Sequence, residues 1–308
     1  MFDYSIIIPH YNIPKLLLRC VKSIPERDDV QIIVVDDCSP ENVDLINIFQ
    51  QLHNRKNLEI YRTVQGGSAG RARNVGVNHA VGKWIIFADA DDFFDKKFTK
   101  LLNDCVNASE DLIYFRCRSV MSEDVNVKSN RISDDSKYFI TPITPSIENH
   151  FRIEMQVPWG KIIKRELIVN NNIRFDETRY ANDAMFAVLA GCKASSIKIM
   201  DINAYVLTDR QDSLCANFFR KPGEAGIRLK VALRVNKVIT QHGYNIGLND
   251  EKLFIKLALI NHDYSAIRDI LLDANEYGIK KSDLLRSVKE SGKRYYPIYL
   301  WLSLLSWS

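Results

Sequence analysis

The sequence lacks any C-x-x-C pair, any basic leader at its amino terminus and any apolar run of bilayer length. Its six cysteines are scattered, so neither a zinc site nor a disulfide framework is indicated, and reduced thiols in the cytoplasm are the simplest expectation. The missing leader argues against secretion, and the missing apolar run argues against a membrane span. Repeats and low-complexity tracts are also absent. An ordinary globular protein is therefore expected.

Two common nucleotide-binding patterns are missing as well. A dinucleotide-binding domain needs a G-x-G-x-x-G loop after its first strand, where pyrophosphate meets a helix N-terminus. Here the first predicted strand ends at Pro9 without a following glycine, and the glycines of 66–70 come after the third strand with a different spacing. A P-loop is also absent. NAD, FAD and ATP of the usual kinds are therefore disfavoured.

Charge is nearly balanced but unevenly distributed along the chain. The formal net charge is +4, with +6 on residues 215–308 and −2 on residues 1–214. A mildly basic C-terminal part fits a phosphate-bearing or membrane-surface partner, although a solvated helical face explains it equally well. We predict no nucleic-acid partner.

The last apolar segment, Tyr295–Trp307, is rich in Tyr and Trp and follows Lys293 and Arg294. This composition suits peripheral contact with a membrane surface. A last helix docked on the core and a homodimer contact are the alternatives.

The first 120 residues alternate predicted strands with helices. Strands are predicted at 5–9, 30–35, 58–61, 83–88 and 111–120. Their apolar runs show no polar alternation, which is typical of strands covered on both faces in a mostly parallel sheet. From residue 218 onward the apolar spacing is helical. We predict an α/β domain over 1–215, divided into halves at 1–105 and 106–215, and a helical C-terminal subdomain over 216–308.

Carboxylates follow two of these strands at the edge of the sheet where ligands bind. Asp36 and Asp37 end the second strand, and Asp89, Asp91 and Asp92 follow the fourth. Like charges this close repel one another unless a cation neutralises them. Hard oxygen ligands favour Mg²⁺ or Mn²⁺ shared with the phosphates of a substrate. Helix capping is the alternative for both groups.

Four ordered motifs resemble those of family 2 glycosyltransferases: Ile8–Asn12, Ile33–Ser39, Ala72–Gly76 and Phe87–Asp92. The resemblance is close over residues 3–100 and implies an inverting, metal-dependent transferase of the GT-A fold. By the same resemblance the donor is a UDP-sugar and the ion is Mn²⁺ or Mg²⁺. The predicted acceptor is a glycan in bacterial surface polysaccharide synthesis. The basic, aromatic C-terminus adds the prediction that this glycan is linked to polyprenyl diphosphate at the inner face of the cell membrane.

The resemblance also implies roles for the residues that hold the nucleotide. Pro9 and Tyr11 line the base pocket, with Asn12 in the same motif. Asp37 bonds the base, usually uracil. Arg73 supports that pocket or the phosphates.

Further roles follow for the loop after the fourth strand. Asp89 and Ala90 lie on the ribose or sugar side, and Asp91 holds the divalent ion that bridges the diphosphate. Asp92 is assigned to the same ion, although the sequence does not divide the labour. One departure from the family is Cys38, where Gly is more frequent, and we expect little effect from it.

Inversion needs a base that takes the proton of the acceptor hydroxyl. The family usually carries this base as the Asp of a Glu-Asp pair, which Asn182 and Asp183 match with Asn in place of Glu. Asp183 is therefore the predicted base, with capping of the following helix as the alternative and Asp176 as a second choice. Trp159 resembles part of the acceptor side, and a core tryptophan is the alternative. Arg210 could reach the diphosphate or simply lie on the surface.

Two other functions keep part of this pattern. A sugar nucleotidyltransferase also uses acids and Mg²⁺ on an α/β sheet, but it needs a Gly- and Lys-rich loop after the first strand, which this sequence does not have. A non-catalytic nucleotide-sugar or glycan-binding protein would keep Tyr11, Asp37 and Asp91 and would need no base.

Overall fold

The structure is a computed structural model, and it describes residues 1–40, 43–132, 135–140, 142–210, 223–244 and 251–306. The chain divides into two compact units, Met1–Gln211 and Asp212–Ser308. The boundary predicted at residue 215 falls within 211–222, outside the described residues.

The first unit is built on one mixed sheet of eight strands in the order β3-β2-β1-β4-β7-β6-β8-β5. The strands are β1 (Tyr4–His10), β2 (Val30–Asp36), β3 (Leu58–Arg62), β4 (Trp84–Phe87), β5 (Phe93–Phe94), β6 (Leu112–Met121), β7 (Lys161–Lys164) and β8 (Ile197–Asp209). Strands β3, β2, β1 and β4 are parallel to one another, and β6 is parallel to β8. Antiparallel pairs involve β7 and β5. The predicted mostly parallel sheet is confirmed in its first half, and the second half is mixed.

Helices connect these strands and cover both faces of the sheet. They are α1 (Pro14–Ser23), α2 (Val43–Leu52), α3 (Ala69–His79), α4 (Phe98–Cys105), α5 (Pro145–Asn149), α6 (Arg165–Asn170) and α7 (Ala184–Lys193). A 3-10 turn at Ser136–Tyr138 and a π-helix at His150–Glu154 lie between β6 and β7.

The central strands are buried on both faces. Ile6 and Ile8 of β1 pack into one hydrophobic cluster, whereas Ile7 packs into the cluster on the other side of the sheet. Because successive side chains of a strand point to opposite faces, a strand covered on both sides needs an apolar residue at every position. This burial explains the unbroken apolar runs in the sequence.

The short strand β5 changes the surroundings of the acidic loop. The sequence indicated a helix beginning near Asp95, but α4 begins at Phe98 with Lys97 as its N-cap. Phe93 and Phe94 instead pair antiparallel with β8. This pairing holds the preceding acidic loop against β8, and it removes the alternative that these acids cap the next helix.

The second unit is helical in the part that the structure describes, as the apolar spacing predicted. Its helices are α8 (Glu224–Gln241), α9 (Glu251–Ile260), α10 (Tyr264–Leu272), α11 (Lys281–Glu290) and α12 (Tyr296–Leu305), with a 3-10 turn at Lys293–Tyr295. They share a core that includes Leu229, Leu259 and Ile267. Among all described residues, no helix combines the length and the apolar composition needed to cross a bilayer.

Gly70 of α3 lies directly against the segment that precedes α7. A Cβ at this position would stand 2.0 Å from the backbone oxygen of Asp176 and 3.0 Å from the Cβ of Asn182.

We expect Gly70→Ala to lower the free energy of unfolding by about 1–3 kcal/mol, because two packed backbones must separate. Asn78→Ala, at an exposed position of the same helix, should change it by less than about 0.5 kcal/mol. Chemical denaturation measures both, and equal stability of Gly70→Ala and wild type would contradict this close packing.

Candidate active site

The loop after β4 brings three carboxylates together. One oxygen from each of Asp89, Asp91 and Asp92 lies within 4.8 Å of the others. The Asp92 side chain is fully buried, and its oxygens accept hydrogen bonds from the Tyr205 hydroxyl at 3.0 Å and the Thr208 backbone N–H at 2.7 Å. Both partners lie on β8. This strand therefore holds the acidic loop from its buried side.

Asp91 faces a more open environment than Asp92. Its side chain is 14% exposed, and the Nε of Arg210 lies 3.2 Å from one of its oxygens. Its backbone carbonyl accepts hydrogen bonds from Arg19 at 2.5 Å and from the Thr208 hydroxyl at 2.6 Å. Burial and then the Asp89 charge raise the pKa of the Asp91 carboxyl, while the Arg210 charge opposes them. The carboxylate is thus only partly compensated.

These acids differ in what they can offer to a cation. Carboxylate oxygens are the ligands that Mg²⁺ and Mn²⁺ prefer. Asp89 and Asp91 are 23% and 14% exposed, whereas Asp92 is fully buried and both of its oxygens already accept hydrogen bonds. Burial and the charges of Asp91 and Asp89 raise the pKa of Asp92 well above its ordinary value. The donor set fits a divalent ion, with Asp89 and Asp91 the more accessible ligands; the assignment of Asp91 and Asp92 stays a prediction.

Arg73 joins the acidic loop to the segment that carries the predicted base. Its Nη2 donates to Asp89 at 2.7 Å, and its Nη1 donates to the side-chain oxygen of Asn182 at 2.9 Å. The guanidinium is buried and lies 5.3 Å from the centroid of the Phe175 ring. The structure therefore places Arg73 between two acidic motifs that are far apart in sequence.

Asp183 stands at the N-cap position directly before α7 and is partly buried. Within the described residues its side chain makes no capping hydrogen bond to the helix, so the capping alternative finds no support. Burial raises the pKa of the Asp183 carboxyl, and the charge of Arg73 opposes this shift. A raised pKa makes a carboxylate a better proton acceptor near neutral pH. Ala181 precedes it at φ +51°, a left-handed conformation that costs energy and is frequent at functional sites.

Lys161 is a buried cation that the sequence reasoning did not single out. It is 1% exposed, and its Nζ donates to the backbone oxygens of Met155, at 2.9 Å, and Val157. Burial lowers the pKa of Lys161 to about 7. The side chain holds the turn that leads to Trp159, whose ring stacks on Tyr205 with the centroids 6.4 Å apart. Trp159 is partly buried against the core, in agreement with the core alternative.

Asp37 orders the loop that opens α3. Its Oδ1 accepts a hydrogen bond from the Thr63 hydroxyl at 3.0 Å, and its Oδ2 accepts from the backbone N–H groups of Gly67 and Ser68, both at 2.8 Å. The side chain is buried. Because a carboxylate can accept about four hydrogen bonds, one further acceptor position is left for a ligand.

His10 and Asp36 form a second buried network behind this loop. The His10 Nδ1 donates to Asp36 at 2.8 Å, and the His10 Nε2 accepts from the backbone N–H of Ile13 at 3.1 Å. Because Nε2 accepts from a backbone N–H, Nδ1 is the ring nitrogen that faces Asp36 as a donor. Burial alone would raise the pKa of Asp36, but hydrogen bonds from His10 and Ser39 outweigh it and lower that pKa. This network joins the ends of β1 and β2.

The remaining predicted residues lie at three strand ends: Pro9, Tyr11 and Asn12 at the end of β1, Cys38 after β2 and Ala90 after β4. Pro9 and Ala90 are buried, whereas Tyr11 is 56% exposed at the end of β1. Asn12 and Cys38 have φ values of +52° and +63°. This left-handed conformation favours glycine, so both side chains are held on a backbone that costs energy for a residue with a Cβ. Because more than half of its surface is exposed, the ring of Tyr11 is available to a ligand.

Comparison with known proteins agrees with this arrangement. A family model described as glycosyl transferase family 2 matches residues 5–168, just over half of the chain. The Staphylococcus aureus protein poly(ribitol-phosphate) beta-N-acetylglucosaminyltransferase TarS is 25% identical over 219 residues, which cover 69% of this chain and 36% of that protein. The chain thus spans little more than a third of the length of this relative.

Two solved structures share the fold. The crystal structure of S. aureus TarS 1-349 in complex with UDP-GlcNAc is similar with a TM-score of 0.65 at 20% identity, over 96% of this chain and 84% of that one. Mannosyltransferase PcManGT from Pyrobaculum calidifontis, in complex with GDP-Man and Mn²⁺, gives 0.55 at 14% identity, over 99% and 86%. The expected GT-A fold is confirmed. The sheet, the acids at its strand ends and the family match together establish that this chain belongs to family 2 of the glycosyltransferases.

Proposed function

We propose that this chain transfers a sugar with inversion from a UDP-sugar to a hydroxyl group of a glycan, free or linked to polyprenyl diphosphate. One observation carries the proposal: the Arg73 guanidinium bonds both Asp89, in the acidic loop, and Asn182, the neighbour of Asp183. Arg73 thereby holds together the acidic loop, which suits a diphosphate, and the Asp183 carboxylate, which makes no capping hydrogen bond and suits proton transfer. The UDP-GlcNAc complex of one structural neighbour, and the polymer named for the same protein, support the donor class and a cell-surface acceptor.

The nucleotide side of the site is formed by the ends of β1 and β2. The exposed ring of Tyr11 stacks on the base, and the remaining acceptor position of Asp37 takes a hydrogen bond from a ring N–H. Pro9 and Asn12 shape the same wall. The amides of Gly67 and Ser68 keep the Asp37 carboxylate in place before the donor arrives.

The diphosphate side is formed by the acidic loop. Asp91 would hold Mn²⁺ or Mg²⁺, with Asp89 as the accessible second ligand. Asp92, which the sequence assigned to the same ion, would act there by fixing the loop through β8. When bound, the ion neutralises the diphosphate and stabilises it as a leaving group. Arg210, already 3.2 Å from Asp91, supplies a second positive charge toward the diphosphate.

The transfer step follows from the place of Asp183. Its carboxylate accepts the proton of the acceptor hydroxyl as that oxygen attacks the anomeric carbon. The new carbon–oxygen bond forms opposite the bond to the diphosphate oxygen, which breaks with its electron pair and leaves as UDP. The configuration at the anomeric carbon therefore inverts, and Asp183 holds the proton until solvent removes it.

We assign this chemistry to residues 1–215, with the donor held by 1–105 and the acceptor by 106–215. In the same proposal residues 216–308 are a separate subdomain, whose described part is helical. Because a polyprenyl-linked acceptor lies in a membrane, we place the protein in the cytoplasm, peripheral to the inner face of the cell membrane.

Replacing the base gives the first test of this function. Asp183→Asn keeps the shape of the side chain but cannot take a proton, so we expect turnover of UDP-GlcNAc or another UDP-sugar to fall by about 10²–10⁴-fold. The dissociation constant for UDP should stay unchanged. Asp176→Asn is the matched control and should retain turnover within a few fold. Wild-type turnover in Asp183→Asn would reject this base, and UDP binding without any turnover in wild type would favour a binding protein.

Calorimetric titration of UDP tests the role of the acidic loop. With Mn²⁺ present we expect tight binding, and EDTA or the change Asp91→Asn should weaken it by about 10–100-fold, because an ion ligand is lost. Asp95→Asn serves as the control, since this carboxylate pairs with Arg118 at 3.2 Å outside the cluster. UDP affinity that does not respond to EDTA would contradict metal-dependent binding.

The link made by Arg73 predicts a shift in the pH profile. Because the Arg73 charge lowers the pKa of Asp183, Arg73→Met should raise that pKa and move the acidic limb of kcat/KM to higher pH. Arg73→Lys keeps the charge but not both hydrogen bonds, to Asp89 and Asn182. We therefore expect kcat to fall, while the acidic limb of kcat/KM shifts less than in Arg73→Met. Arg71→Met, on the same helix and paired with Glu177 at 2.9 Å, is the control. A limb that does not move in Arg73→Met would mean that another group titrates.

A further inference from the structure

Helix α12 of the second unit exposes a face of apolar and aromatic side chains. Leu304 is 75% exposed and Tyr296 is 49% exposed. The exposed residues recur at helical spacing, so they share one side of the helix. We call this surface the α12 face, and its members are Tyr296, Pro297, Leu300, Trp301 and Leu304.

The other side of α12 already has a partner. Leu302 is fully buried, and Ile298, Tyr299 and Leu305 pack against the core of the same unit. The helix is therefore apolar all round although only one side is covered by its own unit. Contiguous exposed apolar surface of this kind marks a binding site for another apolar surface.

The neighbouring helix α11 shows what a water-facing helix of this unit looks like. Its exposed positions carry mainly charged side chains, namely Lys281, Ser282, Arg286, Lys289 and Glu290. No member of the α12 face carries a charge. The composition of the α12 face is thus a property of that helix and not of the surface of the whole unit.

Basic side chains surround the start of the α12 face. Lys293 and Arg294 are exposed in the turn directly before α12, and the sequence has no acid between Ser291 and Ser306. The Arg294 guanidinium lies 4.6 Å from the centroid of the Tyr295 ring, and the Lys289 Nζ lies 5.5 Å from that of Tyr299. These ring contacts keep the positive charges close to the helix.

We propose that the α12 face binds an anionic lipid surface, with Lys293 and Arg294 against the headgroup phosphates. Helices that lie in the membrane interface have this composition: Tyr and Trp stand beside aliphatic side chains, cations are close by and acids are absent. A protein partner would require matched hydrogen bonds, for which the α12 face offers only two polar groups, the Tyr296 hydroxyl and the Trp301 indole N–H, and no charge. This proposal specifies the membrane contact named above, and it does not depend on the donor or on the base.

Vesicle flotation of the full chain tests the proposal. We expect the protein to float with phosphatidylcholine vesicles that contain phosphatidylglycerol, and far less with phosphatidylcholine alone. Added salt should reduce the bound fraction, because it screens the basic side chains. Failure of the wild-type chain to float with either vesicle would overturn the proposal, whatever its transferase activity.

Substitutions separate the apolar part of the contact from the charged part. Leu300→Glu and Leu304→Glu should each lower vesicle affinity by about tenfold or more, since a carboxylate must then enter the interface. The double change Lys293→Glu and Arg294→Glu should remove the preference for anionic vesicles. Leu272→Glu is the control because this side chain of α10 is 50% exposed outside the α12 face, and it should leave flotation unchanged.

The same variants decide between lipid and a second copy of the chain. Circular dichroism and UDP affinity should match wild type, which shows that loss of flotation is not loss of folding or of the donor site. Light scattering after gel filtration reports the oligomeric state. A wild-type dimer that Leu304→Glu dissociates, together with no vesicle binding, would assign the α12 face to a second copy and reject the lipid proposal. Equal flotation of Leu304→Glu and wild type would reject it as well.

Discussion

The burial of three like charges in one loop is the constraint on which this site depends. Asp89, Asp91 and Asp92 lie within 4.8 Å of one another, and each meets a different compensating group. Asp89 bonds Arg73, Asp91 faces Arg210, and Asp92 accepts hydrogen bonds from β8. Compensation is incomplete, since burial and mutual repulsion still raise the pKa of Asp91 and Asp92. The remaining negative charge is what attracts a further cation.

Arg73 extends this compensation from the donor side to the proton acceptor. One guanidinium bonds Asp89 and Asn182, so the distance between the two motifs is set by a single rigid group. The amide at position 182 accepts this bond without adding charge beside Asp183. A glutamate there would draw more of the Arg73 charge away from Asp89. The asparagine therefore leaves that charge to be shared by Asp89 and Asp183.

The sequence was sufficient to predict features that depend on neighbouring residues, and insufficient to predict contacts between residues far apart in the chain. Apolar runs that end in acids predicted the parallel strands and the acidic loop, because each pattern occupies a few neighbouring residues. Tyr205 was not predictable as a partner of Asp92, since 113 residues separate them and a tyrosine in a strand has many possible surroundings. The contact between Arg73 and Asn182 spans 109 residues. The strand β5 is only two residues long, so it has no periodic pattern from which it could be predicted.

These separations bear on the order in which a growing chain can acquire its site. The ribosome delivers β1 to β4 first, and these strands pair in parallel with one another, although the hydrophobic clusters on their two faces also include later residues such as Ile162 and Phe186. The carboxylates at 89–92 gain their hydroxyl and amide partners only when Thr208 has been synthesised and β8 has joined the sheet. Until then, the carboxylates have a lower free energy in water than in a buried loop, so the loop stays open to solvent. The order of the acidic loop is accordingly a late, cooperative property of the whole first unit, although the loop itself lies in the amino-terminal half.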